Sequence, residues 1–296
     1  MPKRTICIQS PAKLSACDKA LLIIQDERQV RVPFEDIWVV ILETHQAQIT
    51  TAALSQLADG GIGVMLCGDD HMPNGLFLPL GAHSRHADIV ENQLAISKPM
   101  QKRLWQRIVK AKITNQASVL ELCGKSPCSV GRYVAEVKSG DTDNREGAAA
   151  AAYFKELIDD GNRRIGPYSG PLNYGYNILR AGVARAAVAG GWLVSRGLNH
   201  HNELNAFNLV DDLIEPFRPL VDLIVVKQHL AGDLTHEKKI VLASVFERLV
   251  KLDGRLVTSQ TAIELMLVSL KAAVYDADYS ELLLPSIVPL QMFSDE

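Results

Sequence analysis

The sequence predicts an α+β protein in which a small N-terminal β-rich domain is followed by a larger all-α C-terminal domain. Two patterns carry that expectation. Short apolar runs separated by polar turns fill the first eighty residues, and beyond them apolar residues recur at helical spacing. The length of 296 residues, with 47% hydrophobic and 22% charged residues, is enough to bury one large core or two smaller ones.

In the first part, residues 20–24 and 37–42 are apolar runs of strand length. Residues 62–67 form a β-branched run entered through Gly60-Gly61 and left through Gly68-Asp69-Asp70, all turn formers. Between them, Ala53, Leu54 and Leu57 stand at helical spacing, so one short helix over 50–59 interrupts the strands. The glycine-bounded segment 75–81, broken by Pro79, reads as a connector. It divides the chain into a strand-rich domain 1–76, a connector 77–84 and a helical domain 85–296.

In the second part, residues 99–116 place Leu104, Ile108 and Ala111 on one stripe and Arg103, Arg107 and Lys110 on another. Residues 144–160 read as a helix capped by Asn144, rich in alanine and stopped by Gly161. Further helices are expected over 177–193, 239–251 and, after a break at Gly254, 258–275.

A net charge of -3 at pH 7 argues against a surface that is basic throughout, while leaving room for local basic stripes beside acidic sites. Five scattered cysteines do not make a disulfide framework and fit a reducing cytoplasm. The start carries Lys3 and Arg4 without the apolar run of a signal peptide, and no stretch of about 18 uninterrupted apolar residues follows. A soluble, cytoplasmic protein with no membrane partner is expected.

Chemistry concentrates in two places. Glu146 falls in the first turn of the helix over 144–160, among alanines that leave room for close approach; an acid there also serves simply to complement the helix dipole. The second place runs from Asn199-His200-His201-Asn202-Glu203 to Asp211-Asp212-Leu213-Ile214-Glu215-Pro216-Phe217-Arg218-Pro219. An imidazole and carboxylates from separate segments make a mixed nitrogen and oxygen set suited to magnesium or manganese. The same residues also serve as loop histidines and helix caps, and chemistry alone divides evenly between the two. Cys123 and Cys128 lack a second pair to complete a zinc set, and Gly124-Lys125-Ser126 lacks the earlier glycine of a P-loop. Asp69, Asp70 and His71 are turn residues and are not assigned as ligands.

The order and spelling of these segments resemble the CRISPR-associated protein one family over nearly the whole chain. Glu146-Gly147 followed by alanines and Tyr153-Phe154 is similar to that family's first metal-ligand helix. Leu172-Asn173-Tyr174-Gly175-Tyr176 is similar to the signature before its central helix, and His200 with the block from Asp212 to Pro219 to its remaining ligands. The resemblance implies Glu146, His200 and Glu215 as catalytic and metal-binding residues for Mg2+ or Mn2+. His201 competes with His200, but the spacing to Glu215 is better met by His200; Asp212 is implied as an outer partner or a cap rather than a ligand. Ser169 departs from the family's asparagine. His83-Ser84-Arg85, Ser97-Lys98-Pro99 and the stretch from Leu104 through Lys112 to Asn115-Gln116 are similar to the type II subgroup, which works with an RNA-guided effector nuclease. There Arg103, Arg107 and Lys110 are candidate phosphate contacts, a pattern that a solvated basic face produces equally well.

What the resemblance implies is insertion of short foreign DNA into a CRISPR array by phosphodiester transesterification, with cleavage as the same chemistry run with water. The implied partners are double-stranded DNA of the protospacer and repeat, a second copy of the chain, CRISPR-associated protein two in a heterohexamer, and other type II adaptation proteins. The alternatives are a stand-alone metal nuclease on branched DNA and a non-catalytic DNA-binding scaffold.

Overall fold

The architecture was obtained as a computed structural model describing residues 3–70, 72–80, 83–158 and 163–293. The N-terminal region holds eight strands: β1 (Arg4–Ile8), β2 (Ala12–Cys17), β3 (Ala20–Gln25), β4 (Arg28–Pro33), β5 (Ile37–Leu42), β6 (Ala47–Ile49), β7 (Gly63–Cys67) and β8 (Pro73–Phe77). One helix, α1 (Thr51–Asp59), interrupts them as expected, its start capped by Thr50, which accepts from the Ala53 N–H. The strands form two sheets of orders β1-β5-β7-β8 and β4-β3-β2-β6. β1, β5 and β7 run parallel, and every residue of β5 is buried. An unbroken apolar run is what a central parallel strand covered on both faces requires.

One face of β5 supplies Ile37, Val40 and Leu42 to a small core shared with Leu14, Leu21 and Ile23 of the other sheet and Leu57 of α1. Its other face supplies Trp38, Val39 and Ile41 to the large core of the helical region. Two polar clasps reinforce that junction. Trp38 Nε1 and Arg185 Nη1 both donate to Glu264 Oε1, at 2.8 and 3.0 Å, while Arg185 Nε donates to Gly61 O at 2.7 Å. Glu43 accepts from Tyr174 and from Gln9 at 3.0 Å and pairs with Lys239 at 3.2 Å. The segment read as a connector begins inside β8, because Gly75, Leu76 and Phe77 pair with β7; Gly81 and Ala82 lie outside the described residues.

The helical region comprises α2 (His86–Leu94), α3 (Lys98–Leu122), α4 (Cys128–Gly131), α5 (Tyr133–Glu136), α6 (Arg145–Leu157), α7 (Ser169–Ala189), α8 (Asn208–Leu213), α9 (Arg218–Lys227), α10 (His236–Ala243) and α11 (Ser259–Tyr275). α6 begins at its Asn144 cap as expected but ends at Leu157, where Ile158 turns extended, short of the expected stop at Gly161, which lies outside the described residues. α7 differs from its expectation. It starts at Ser169, so the Leu-Asn-Tyr-Gly-Tyr segment is its opening turns rather than its prelude. Its glycines mark close contacts: a Cβ on Gly175 would lie 2.5 Å from Val221 Cγ1, and one on Gly182 would meet the Phe246 ring and stand 2.8 Å from Trp38 Cη2.

The helix expected over 239–251 ends at Ala243. It gives way to a hairpin, β9 (Leu249–Leu252) and β10 (Arg255–Thr258), so the C-terminal part is helical with one added ribbon. Asp253-Gly254 is a two-residue hairpin turn with both φ values positive, 47° and 78°, and the short hydrophobic runs on either side of it fit a strand as well as the expected helix. Among the described residues no helix is long and apolar enough to cross a membrane.

Candidate active site

The long helix α3 organises the site. Ser97 caps it by accepting from the Met100 N–H, and Pro99 sits in the first turn, where its missing N–H costs nothing. Trp105 and Lys112 are seven residues apart and so face the same way two turns along. The Lys112 ammonium lies between two carboxylates, donating to Glu146 Oε1 at 2.6 Å and contacting Glu215 Oε2. The Trp105 ring meets the His200 ring edge-on, with centroids 5.7 Å apart. Glu146, His200 and Glu215 are thus drawn from three segments to one face of α3.

Each of the three is held from behind. Asp141 accepts from the Arg145 and Glu146 N–H groups at 2.8 and 3.0 Å, and left-handed Asn144 accepts from Gly147, which together set the first turn of α6 and the direction of Glu146. Asp212, fully buried in α8, accepts the backbone N–H of Leu198 and Asn199 on Oδ2 at 2.6 and 3.0 Å. Its Oδ1 accepts the His200 N–H at 3.2 Å and the His200 Nδ1–H at 2.7 Å. Gly197 lets this loop close: a Cβ there would lie 2.5 Å from His200 O and 2.7 Å from Asp212 Oδ2. Glu215 follows α8. Asn115 of α3 donates to the carbonyls of Pro216 and Pro285 at 2.7 and 2.9 Å, pinning the turn that carries it.

The electrostatics follow from these contacts. Burial would push the Glu215 carboxyl up, but Lys112 and Arg218, whose Nη1 donates to Glu215 Oε1 at 3.0 Å, hold it down at about 2. The hydrogen bond to Asp212 raises the His200 pKa against its partial burial, and the nearby charges of Glu215 and Glu146 add to it. With Nδ1–H committed to Asp212, neutral His200 presents a lone pair on Nε2. Arg218 is fixed in turn, its guanidinium 4.2 Å above the Tyr176 ring. Behind it, buried Asp222 accepts from Tyr176 and from Tyr153 at 2.9 Å, and burial raises its carboxyl to about 6 despite those bonds.

Among the described residues no three His, Cys, Asp or Glu stand close enough together to hold a metal ion as placed. The donor set nevertheless fits a hard divalent ion: two carboxylates already share one cation, the Lys112 ammonium, beside an imidazole with a free nitrogen. His201 is exposed, and among the described residues no partner anchors its ring as Asp212 anchors that of His200.

The basic stripe goes elsewhere. At about 100° per residue, Arg103, Arg107 and Lys110 lie on the side of α3 opposite Trp105 and Lys112. There Arg103 stacks on Tyr279 at 5.5 Å and Arg107 Nη2 donates to Leu282 O at 2.8 Å. Lys112, Arg218 and Trp105 were not assigned from the sequence. Lys112 carried a signal: it falls on the stripe of Trp105, Ile108, Val109 and Ile113, where a lysine needs a buried acid partner.

The fold and site together define a protein with an N-terminal pair of sheets and a helical domain bearing a carboxylate–histidine centre. The chain belongs to the family of the CRISPR associated protein Cas1, whose model matches residues 6–242. It is 39% identical, over the full length of both chains, to the CRISPR-associated endonuclease Cas1 of Neisseria meningitidis serogroup C. A second relative, CRISPR-associated endonuclease Cas1 2 of Pyrobaculum aerophilum, is 26% identical over 76% of this chain and 84% of its own. The fold is shared with a casposase bound to integration product, at a TM-score of 0.76 and 17% identity over 99% of this chain and 96% of that one. It is shared also with a CAS1 protein from Thermotoga maritima, at a TM-score of 0.67 and 17% identity over 92% of this chain and 97% of that one.

Proposed function

We propose that this Cas1-family chain is a divalent-metal-dependent DNA integrase and endonuclease of CRISPR adaptation, with Glu146, His200 and Glu215 as its metal ligands. The observation that supports this most is the convergence of Glu146 and Glu215 on a single cation beside His200, whose orientation Asp212 sets. A Mg2+ or Mn2+ ion held there supplies Lewis-acid stabilisation of the charge that develops on phosphate oxygens.

The chain's own residues do the positioning. Asp212 keeps the Nδ1 proton on its own side and directs Nε2 of His200 outward. Arg218 keeps Glu215 ionised, and Asn115 holds the turn that carries it. No side chain needs to act as nucleophile: the 3′-hydroxyl of a short duplex attacks a phosphodiester at the edge of a repeat, the bond to the old 3′-oxygen breaks, and the number of phosphodiesters is conserved. With water as attacker the same centre cleaves.

The reading extends to partners. The strand-rich residues 1–76 serve as the dimerisation domain, 77–84 as connector and 85–296 as the catalytic and DNA-binding domain of a homodimer. A structural neighbour is titled a Cas6-RT-Cas1–Cas2 complex, sharing the fold at a TM-score of 0.72 and 16% identity, and covers 95% of this chain and 36% of that one. Assembly of this chain with CRISPR-associated protein two is proposed by analogy, and a type II setting by the likeness to the Neisseria relative. Duplex phosphates met by Arg103, Arg107 and Lys110 would lie away from the reacting one, since that stripe faces the opposite side of α3.

The test is a Mn2+-dependent strand-transfer assay with a short duplex bearing free 3′-hydroxyls, a supercoiled repeat-bearing plasmid and the small partner. Joining that is lost in His200→Ala supports the integrase. Cleavage without joining would instead point to a nuclease on branched DNA, and binding without either product to a DNA scaffold.

A further inference from the structure

Lys112 has no place among the residues read from the sequence, yet it touches both carboxylates of the centre. Its side chain is 10% exposed, against 21% for Glu146 and 6% for Glu215. A buried ammonium is tolerated only when paired, and two carboxylates this close to one another need a cation between them. In this arrangement Lys112 and Arg218 balance Glu146 and Glu215 charge for charge.

A divalent ion seated between Glu146 and Glu215 would bring two more positive charges against Lys112 and Arg218, both paired with these largely buried carboxylates, where repulsion between cations is strong. One of the organic cations must give way. Arg218 is fixed on three sides: it pairs with Glu215 at 3.0 Å, lies over the Tyr176 ring at 4.2 Å and is attracted by buried Asp222. Lys112 has no such support. Among the described residues it has no polar side-chain contact besides the two carboxylates, and its four-carbon stem lets the ammonium move without moving α3.

We propose that Lys112 is an internal counter-cation of the metal centre: it holds Glu146 and Glu215 together while no metal is bound, and an entering divalent ion displaces it towards the DNA phosphate. This rests on the metal-ligand reading above. Lys112 is then a positioning residue with two stations. In the first it keeps two acids from repelling one another. In the second it adds a donor for a phosphate oxygen when the substrate's own negative charge arrives. Metal and lysine compete for the same oxygens, so the lysine sets how much free metal the protein needs.

The experiment is a Mn2+ titration of the metal-free full chain followed by electron paramagnetic resonance, comparing the unaltered protein, His200→Ala and Lys112→Met. Removing the competitor should tighten Mn2+ binding about tenfold or more in Lys112→Met, the opposite of what a merely structural lysine would give. In parallel, reductive methylation of the unaltered protein, read by mass spectrometry, should show Lys112 gaining reactivity as Mn2+ saturates the site; this arm does not depend on the variant folding. Mn2+ binding that needs His200 but is unchanged or weaker in Lys112→Met would overturn the proposal. So would Lys112 reactivity that stays constant while His200-dependent sites fill. Mn2+ binding indifferent to His200 would overturn the metal-ligand reading itself, and the proposal with it.

Discussion

Replacing Asp212 by Asn changes one oxygen for an amide and leaves shape almost untouched, yet four donors converge on this carboxylate. If the Asn oxygen takes the place of Oδ2, it keeps the Leu198 and Asn199 N–H groups. Its NH2 then faces two further donors, the His200 N–H at 3.2 Å and the His200 Nδ1–H at 2.7 Å. His200 can relieve the second clash only by moving its proton from Nδ1 to Nε2, which removes the lone pair that a metal would use. The remaining part-buried N–H loses its acceptor, at a cost of about 1–3 kcal/mol, or roughly 2–5 °C in Tm for a chain of this size. Loss of the orienting carboxylate should weaken Mn2+ binding roughly 10–100-fold, with strand transfer falling at least as far. Calorimetric Mn2+ titration and the joining assay on Asp212→Asn measure both effects. A variant with unaltered Mn2+ affinity and joining would refute the idea that Asp212 acts through the His200 tautomer.

Three further outcomes follow from other parts of the structure. Burial raises the Asp222 carboxyl from 3.8 to about 6, so its contribution to stability is fully present below the unfolded value and is lost as pH rises through about 6. Asp222→Asn, which can still bond Tyr153 and Tyr176, should flatten that loss and gain up to about 3 kcal/mol near neutral pH; superimposable Tm–pH profiles would count against it. Gly182→Ala would drive a methyl into Phe246 and Trp38 at the junction of sheet and helices, costing about 1–3 kcal/mol in denaturant unfolding. Arg103→Ala with Arg107→Ala should weaken DNA binding at low salt without slowing joining once DNA is saturating, because both side chains face away from Lys112; a slowed joining step would place them at the centre after all.

Much of the molecule was legible in the sequence where a local rule operates without competition. The β5 run, the Asn144 cap of α6 and the Thr258 start of α11 follow from strand burial and side-chain capping. The acids and imidazole of the site were legible as residue types and, through resemblance, as positions. The misread segments had competing signals. The Leu172–Tyr176 segment, placed before the central helix by resemblance, forms the opening turns of α7, and its Gly175, like Gly182 further on, serves contacts with Val221, Phe246 and Trp38 that lie far along the chain. The β9–β10 hairpin was hidden by a hydrophobic pattern that fits helix and strand alike over four residues, and the Asp253-Gly254 turn was the signal that separates them.

The sequence by itself determined the α+β class, the capped starts of α3, α6 and α11 and the chemical inventory of the centre, since propensity, capping and residue type are local properties. Only the tertiary structure decided which cation lies between Glu146 and Glu215, which acid orients His200, and that the basic stripe of α3 faces away from both. Those facts depend on how three segments meet one face of a single helix, and the rotation of a helix about its own axis is set by everything packed around it.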